Sequence, residues 1–157
     1  MSWNNCKRKA WGYEDIFAKT NKYCGKILYF ERGWQCSLHY HKKKESTMYV
    51  TEGNIWVQSK RNFKEGDNIK DIMEFEFCIG EILHITPNTL HRFLAPYESC
   101  SMIEVSTPYK KDDSFMVEKI QKVGKLPDPA NRLPRELTEK RILPSLSYLQ
   151  DLIDEKD

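Results

Sequence analysis

The sequence of 157 residues predicts an all-β domain of the sandwich or barrel type, followed by a short helical tail. Between Lys26 and Val105, short segments rich in β-branched and aromatic residues alternate with turn formers, which is typical of short strands. The turn formers are Gly33, Gly53, Gly66, Gly80 and Pro87. Several strands at this spacing favour a sandwich or a barrel.

Five segments have the length and composition of strands. In chain order they are residues 26–33, 48–59, 75–86, 91–96 and 101–108. The second of them contains Gly53 and Asn54, which tolerate the positive φ of tight turns, and it predicts a β-hairpin. A further turn is predicted at residues 65–67 for the same reason.

The character of the sequence changes after Val105. Residues 110–125 are charged and predict a wrapping arm or linker, and the next stretch carries four prolines, which prevent long regular structure. The last residues place apolar side chains on one helical stripe, with Ser145 as N-cap. The stripe consists of Leu146, Leu149, Leu152 and Ile153. We therefore expect a barrel with an N-terminal arm over residues 1–125, and a Pro-rich linker with an amphipathic helix over residues 126–157.

The composition is that of a globular protein. Hydrophobic residues make up 39% and charged residues 31%, and the net charge is only +2, so the total charge does not require nucleic acid or an anionic membrane as a partner. No apolar run has the length of a membrane span, and the first residues lack the apolar core of a signal peptide. We expect a cytoplasmic protein whose five cysteines are reduced thiols.

All four histidines lie in two short segments, His39 with His41 and His84 with His91. Residues i and i+2 of a strand project from the same face, so His39 and His41 can present both imidazoles to one cavity. His91 follows a turn that can bring it alongside as a third metal ligand. The alternative is a set of hydrogen-bonded interior histidines without a metal.

Two motifs carry a resemblance to a known family. Residues 33–45, "GWQCSLHYHKKKE", resemble the first cupin motif, in which a glycine precedes His-x-His and a glutamate follows. Residues 80–93, "GEILHITPNTLHRF", are similar to the second motif, with Asn88 at the place of a glycine. Asparagine is well able to replace glycine at positive φ. The resemblance implies a cupin double-stranded β-helix (jelly-roll) barrel with a metal pocket inside, where His84 lines the pocket or has a structural role.

Residues 8–123 also resemble single-domain cupins related to mannose-6-phosphate isomerase type II and found with sugar nucleotidyltransferases. The resemblance rests on "WGYE" at residues 11–14, on a Gly-Lys strand at residues 25–26 and on "EVSTP" at residues 104–108. It implies a divalent metal (Zn, Mn, Fe or Ni) and a substrate that is a sugar phosphate or a nucleotide sugar. The implied activity is that of an isomerase or epimerase in carbohydrate metabolism.

The fourth metal ligand is an open question. In the related cupins a glutamate stands where this chain has Ser46, and Glu45 comes one residue early. Strand alternation could aim Glu45 away from the metal, and a β-bulge could restore its direction. The candidate ligands are therefore His39, His41 and His91, with Glu45 undecided, and three imidazoles alone can still hold a divalent ion.

Glu104, Lys44 and Tyr40 are the candidates for the acid and base of an isomerase, which moves a proton between adjacent carbons. Lys44 belongs to the triplet at residues 42–44, which forms a solvated loop or, alternatively, a phosphate clamp. Glu104 could instead be a buried hydrogen-bonding partner.

Two other functions remain open from the sequence. One is a three-histidine iron dioxygenase that uses O₂, and the other is a non-catalytic module that binds a small molecule. Because small cupins commonly pair barrels by exchanging N-terminal strands, we expect a homodimer to which residues 1–30 contribute.

Overall fold

The protein is described here by a computed structural model that covers residues 5–119 and 121–123. The linker and amphipathic helix predicted for residues 126–157 lie outside this part of the chain. One turn of 3₁₀ helix spans Lys111–Asp113. The strands are β1 Cys6–Lys9, β2 Gly12–Lys19, β3 Cys24–Phe30, β4 Trp34–Gln35, β5 Leu38–Tyr40, β6 Ser46–Glu52, β7 Ile55–Lys60, β8 Met73–Phe77, β9 Ile82–Ile85, β10 Leu90–Ala95, β11 Cys100–Ser106, β12 Phe115–Glu118 and β13 Gln121–Lys122.

The strands form two antiparallel sheets. The first has six strands in the order β1-β2-β3-β11-β6-β9. The second is built around β10, which pairs with β4 and β5 on one edge and with β7 on the other. β8 continues beyond β7, and β12 and β13 add to β5 and β4. The all-β jelly-roll fold predicted from the sequence is confirmed.

Alternation of side chains along the strands decides which face is buried. In β6, Met48 and Val50 are 1% exposed, whereas Tyr49 between them is 46% exposed. Phe30 of the first sheet packs edge-on against Phe93 of the second, with ring centroids 5.9 Å apart. The core therefore lies between the inner faces of the two sheets, and a period of two in the sequence creates it.

The hairpin predicted at Gly53 and Asn54 is wrong. β6 pairs with β11 and β9, whereas β7 pairs with β10 and β8, so this turn carries the chain from one sheet to the other. Gly53 has a φ of 64°. A Cβ at Gly53 would lie 2.3 Å from the carbonyl oxygen of Ser99. The positive φ and the close approach of Ser99 therefore require a glycine at this corner between sheets, just as a tight hairpin would.

The turn predicted at residues 65–67 is confirmed, because Gly66 has a φ of 90° and the Asp67 amide donates to the carbonyl of Lys64. The linker predicted at residues 110–125 is corrected in part. β12 and β13 lie in this segment and pair with β5 and β4. In β12, Met116 and Val117 are exposed, so this edge strand lacks the apolar signature of a buried one.

Three of the cysteines are core residues. Cys24, Cys36 and Cys100 are at most 5% exposed. Burial raises the pKa of Cys36 to about 11 and that of Cys100 to about 12, which keeps both thiols protonated and weakly reactive at neutral pH. Nothing helical in the described ranges has the length and hydropathy of a bilayer-spanning segment.

Candidate metal site

Three of the four histidines converge between the sheets. His39 on β5 and His91 on β10 are direct cross-strand partners. His41 follows β5 by one residue, and its ring centroid lies 5.1 Å from that of His39 and 5.8 Å from that of His91. One ring nitrogen from each lies within 4.8 Å of the other two. Within the described part of the chain, this trio is the group with the geometry to hold a metal ion.

The hydrogen bonds of the three rings specify one tautomer. The Nδ1 of His39 lies 2.8 Å from the carbonyl oxygen of Ser37, and that of His91 lies 2.8 Å from the carbonyl of Thr89. The Nδ1 of His41 lies 2.7 Å from the carbonyl of Asp113. A carbonyl oxygen only accepts, so each Nδ1 carries the proton and donates. The Nε2 atom of each ring is left with the free lone pair that a metal needs.

All three imidazoles are held neutral. Burial lowers the pKa of His39 to about 4 and lowers the pKa of His41. The pKa of His91 lies well below its ordinary value, again chiefly because of burial. A neutral imidazole is the form that binds a metal. The site is therefore ready for a cation at neutral pH without first having to lose protons.

A buried carboxylate fixes the loop that follows His41. The Asp113 carboxylate accepts hydrogen bonds from the backbone amides of Lys42 at 2.9 Å, Lys43 at 3.1 Å and Lys44 at 2.9 Å. Burial alone would raise the pKa of the Asp113 carboxyl, but these amides outweigh it, and the pKa lies below the ordinary value. Asp113 thus binds the loop through its side chain, and it binds the ring of His41 through its backbone carbonyl.

The turn before β10 also holds His41. Asn88 has a φ of 59°, so it adopts the glycine-like conformation expected from the second motif. Its amide donates to the carbonyl of His41 at 2.7 Å. Two segments that are distant in the sequence are therefore joined directly at the metal site.

Glu45 is not brought to the other candidate ligands. It precedes β6, in which Ser46 and Met48 face inward and Thr47 lies on the outer side. Its carboxylate lies 2.8 Å from the Nε2 of His84, whose Nδ1 lies 2.8 Å from the Thr47 hydroxyl. Both partners of the Glu45–His84 contact are about half exposed, at 49% and 45%. Strand alternation prevails, and His84 has an outer structural role rather than a place in the pocket.

The three acid–base candidates separate into two groups. Lys44 and Glu104 form a buried ion pair beside the histidines, with side-chain exposures of 7% and 6%. Tyr40 lies elsewhere: its ring packs against Phe63, at 5.1 Å, and against Phe115. It belongs to an apolar cluster because it alternates with His39 and His41 along the strand. Of the three, Lys44 and Glu104 therefore remain candidates at this site.

The histidines line one side of a cavity of about 560 Å³. Sequence reasoning missed several residues that line it, notably Lys26, Glu14 and Tyr109. Lys26 donates to the Glu14 carboxylate at 3.1 Å, and its ammonium lies 4.9 Å from the centre of the Tyr109 ring. A signal was present for Lys26, because a lysine in an otherwise apolar strand such as "CGKILYF" indicates a buried, partnered charge.

The loop of residues 42–44 agrees in part with the predicted solvated loop, and the phosphate clamp stays a prediction. Lys42 and Lys43 are exposed, as a solvated loop requires, whereas Lys44 is 8% exposed and reaches the cavity. The ammonium of Lys42 lies 4.4 Å from the centre of the Phe115 ring.

Neither the protein-family models nor the curated proteins compared with the chain match it. Solved structures do. The capsular polysaccharide assembling protein CapF from Staphylococcus aureus matches with a TM-score of 0.62 and 16% identity over 72% of this chain. KdgF from Halomonas sp. matches with 0.54 and 19% over 68%. An E162A mutant of the Bacillus subtilis oxalate decarboxylase OxdC matches with 0.62 and 13% over 85%.

The extent of these matches differs. The chain spans 34% of CapF and 46% of the oxalate decarboxylase, but 90% of KdgF. Identities this low indicate a shared fold and not a shared activity. The closer resemblance to mannose-6-phosphate isomerase type II stays a prediction. What the two histidine motifs implied is confirmed at the level of architecture: the chain has the cupin fold.

Proposed function

We propose that this chain binds a divalent metal ion through His39, His41 and His91 and acts on a sugar phosphate or nucleotide sugar as an isomerase or epimerase. The observation that carries the proposal is the convergence of one ring nitrogen from each of the three histidines, whose Nδ1 atoms all contact backbone carbonyls and so leave Nε2 for a metal. Neutral imidazoles suit Zn²⁺, Mn²⁺, Fe²⁺ and Ni²⁺, so the donor set fits such an ion.

The residues around the histidines supply what proton transfer requires. A metal bound there would polarise a carbonyl and its neighbouring hydroxyl. Glu104 is the candidate base for a proton on the adjacent carbon, because its buried carboxylate faces the cavity. Lys44 pairs with Glu104. When substrate enters, Lys44 can donate a proton or neutralise an oxygen on which negative charge develops.

The substrate class rests on the charge of the cavity wall. Lysines outnumber carboxylates among the lining residues, which favours an anionic ligand. The lining lysines are Lys7, Lys9, Lys19, Lys26, Lys44 and Lys111, and the lining carboxylates are Glu14 and Glu104. A volume of about 560 Å³ lies within the range of small-ligand sites. The similarity to a capsular polysaccharide assembling protein also agrees with a carbohydrate substrate.

The metal proposal is tested by elemental analysis of protein purified without added metal. We expect close to one divalent ion per chain in the wild type, and a loss of at least tenfold in metal affinity for His41→Ala, because removal of one of three ligands leaves an incomplete site. Glu45→Gln is the matched control: it should bind metal like the wild type, since Glu45 contacts His84 on the outside. Unchanged metal content in His41→Ala would refute the proposal.

An iron dioxygenase is the second candidate function, because the group found consists of three histidines and Glu45 lies outside it. The two activities have different signatures. An isomerase loses activity with a chelator and consumes no oxygen, whereas a dioxygenase contains iron and consumes O₂. A non-catalytic binder would purify without metal and still rise in melting temperature with a sugar nucleotide.

We propose further that the protein is cytoplasmic and forms a homodimer. The outer face of the six-stranded sheet supports the dimer, since Phe17, Tyr49 and Val105 are 55%, 46% and 52% exposed on it. Exposed apolar side chains that lie together on one sheet face are typical of an association surface.

A further inference from the structure

A row of alternating charges crosses the inner face of the six-stranded sheet. Lys9 on β1 lies 3.4 Å from the carboxylate of Glu14 on β2, which lies 3.1 Å from the ammonium of Lys26 on β3. Lys26 is the cross-strand partner of Glu104 on β11, and Glu104 pairs with Lys44 beside the histidines. The row therefore connects the rim of the cavity with the candidate metal site.

The row has more positive than negative members. Its three ammonium groups share two carboxylates, and Lys26 and Lys44 are 7% and 8% exposed. Removing an ammonium from water is costly unless opposite charge compensates it. Glu14 and Glu104 match the two buried ammonium groups, but Lys7, Lys9, Lys19 and Lys111 also line the cavity, so its wall as a whole retains a positive potential that favours an anion.

The ring of Tyr109 marks where the two buried ammonium groups face the cavity. Its centre lies 4.9 Å from the ammonium of Lys26 and 6.0 Å from that of Lys44. The same ring meets His41 edge-on at 6.5 Å. Tyr109 is 40% exposed and lines the cavity, so a molecule beside its ring is near both ammonium groups and near the histidines. A ligand that spans these groups needs an anionic part and a part that can reach a metal.

We propose that Lys26 and Lys44, together with Tyr109, form a subsite for a doubly charged oxyanion, with a phosphate group as the ligand chemistry. The phosphate group is shared by inorganic phosphate, a hexose phosphate and the diphosphate of a nucleotide sugar. A tetrahedral oxyanion accepts hydrogen bonds from several ammonium groups at once, and bonds to an anion are stronger than those to the neutral hydroxyl groups of a sugar. The inference rests on the proposed function in that the same cavity receives the substrate, but the subsite needs no metal.

Isothermal titration of metal-free protein with inorganic phosphate, hexose 6-phosphate and a nucleoside diphosphate hexose tests the subsite. Lys26→Met should weaken phosphate binding at least tenfold, because a charged hydrogen-bond donor is lost from a buried position. Lys64→Met removes the same charge from an exposed position outside the cavity lining and should bind phosphate within twofold of the wild type. Lys26→Arg should retain most of the affinity, because it retains the charge.

Lys26→Met leaves the Glu14 carboxylate with less compensation and can destabilise the fold. The double variant Glu14→Gln, Lys26→Met removes both partners of that pair, and its phosphate affinity should also fall at least tenfold. Binding to the wild type should weaken as NaCl is raised, as expected for an electrostatic site. Tighter binding of the hexose phosphate indicates a phosphomonoester substrate, whereas tighter binding of the diphosphate sugar indicates a nucleotide sugar, and both support the subsite.

The subsite and the metal site can fail independently. If the wild type binds no metal and Lys26→Met still weakens phosphate binding, the subsite stands and the proposed function falls. If the wild type binds metal while phosphate affinity is the same in the wild type, Lys26→Met and the double variant, the subsite is refuted.

Discussion

A backbone carbonyl accepts a hydrogen bond from the Nδ1 of each of the three histidines and so decides its tautomer. Ser37, Thr89 and Asp113 supply these carbonyls, and every residue type carries such an oxygen. Sequence could predict which histidines share a face, because His39 and His41 differ by two positions. It could not predict the tautomers, since the carbonyl that binds His41 comes from a residue 72 positions away.

At the same scale, Glu14 makes a testable contribution to stability. Burial alone would raise the pKa of the Glu14 carboxyl, but the ammonium groups of Lys26 and Lys9 together outweigh burial, and the pKa lies below its ordinary value of 4.5. A carboxyl with a lowered pKa stabilises the fold fully above its unfolded pKa and loses that contribution as the pH falls through the folded value.

We therefore predict that Glu14→Gln lowers the free energy of unfolding at pH 7 by about 1–3 kcal/mol, between the values for exposed and buried ion pairs. The difference from the wild type should shrink as the pH falls below about 4.5, the ordinary value for a glutamate. Urea unfolding at several pH values measures both quantities. Glu65→Gln, at an exposed position, is the control and should leave the curve unchanged. A difference that stays constant down to pH 3 would contradict the ion-pair explanation.

At the scale of elements, a 3₁₀ turn and a loop are locked together at the metal site. The turn ends at Asp113, whose carboxylate accepts from the amides of residues 42–44, directly after His41. The loop therefore has little freedom to move the ring of His41 or the ammonium of Lys44. Groups that orient metal ligands in this way commonly affect metal affinity as strongly as 10–100-fold.

Asp113→Ala should accordingly lower metal affinity about 10–100-fold while the three histidines stay present. The neighbouring Asp112→Ala is the matched control, because Asp112 is exposed and lies on the same turn. Metal titration of both variants, with circular dichroism to verify the fold, provides the measurement. Asp113→Asn retains one acceptor oxygen and should fall between the two. Equal metal affinities for the Asp113→Ala and Asp112→Ala variants would show that the loop needs no carboxylate.

Local sequence patterns predicted some features of the strands and turns and missed others. The buried alternation of β6 and the glycine-like φ of Asn88 could be predicted from sequence, and face alternation correctly anticipated that Glu45 could point away. A turn at Gly53 was predicted correctly, but the sheet to which the following strand belongs was not. A positive φ allows a tight hairpin and a corner between sheets equally. β1 escaped prediction since its residues, "CKRK", have no apolar face.

On the scale of the whole molecule, the two sheets have different outer surfaces. On the six-stranded sheet, Phe17 covers Gly25, whose cross-strand partner is Val105, and Ile103 lies opposite Tyr49. These side chains make a continuous apolar face on the side opposite the cavity. Sequence patterns showed alternation within each strand, but the patch depends on the order of strands, which only long-range pairing creates.

We predict that the protein sediments as a dimer and that Val105→Glu shifts it toward the monomer, because a charge in an apolar interface is costly to desolvate. Met73→Glu, an equally exposed apolar position on the other sheet, should leave the dimer intact. Sedimentation velocity over a range of concentrations distinguishes the states. A wild-type monomer at high concentration, or equal effects of the two substitutions, would remove this face as the interface.

The hydrogen bond from the Asn88 amide to the carbonyl of His41 has a consequence for protein engineering. The segment that contains His41 and the turn that leads to His91 are not structurally independent, because the hydrogen bond between them fixes the backbone of both. If only one of the two segments were grafted from another barrel of this architecture, it would not fit the segment that the host protein retains. Recombination of such proteins should succeed only when both segments are inherited together.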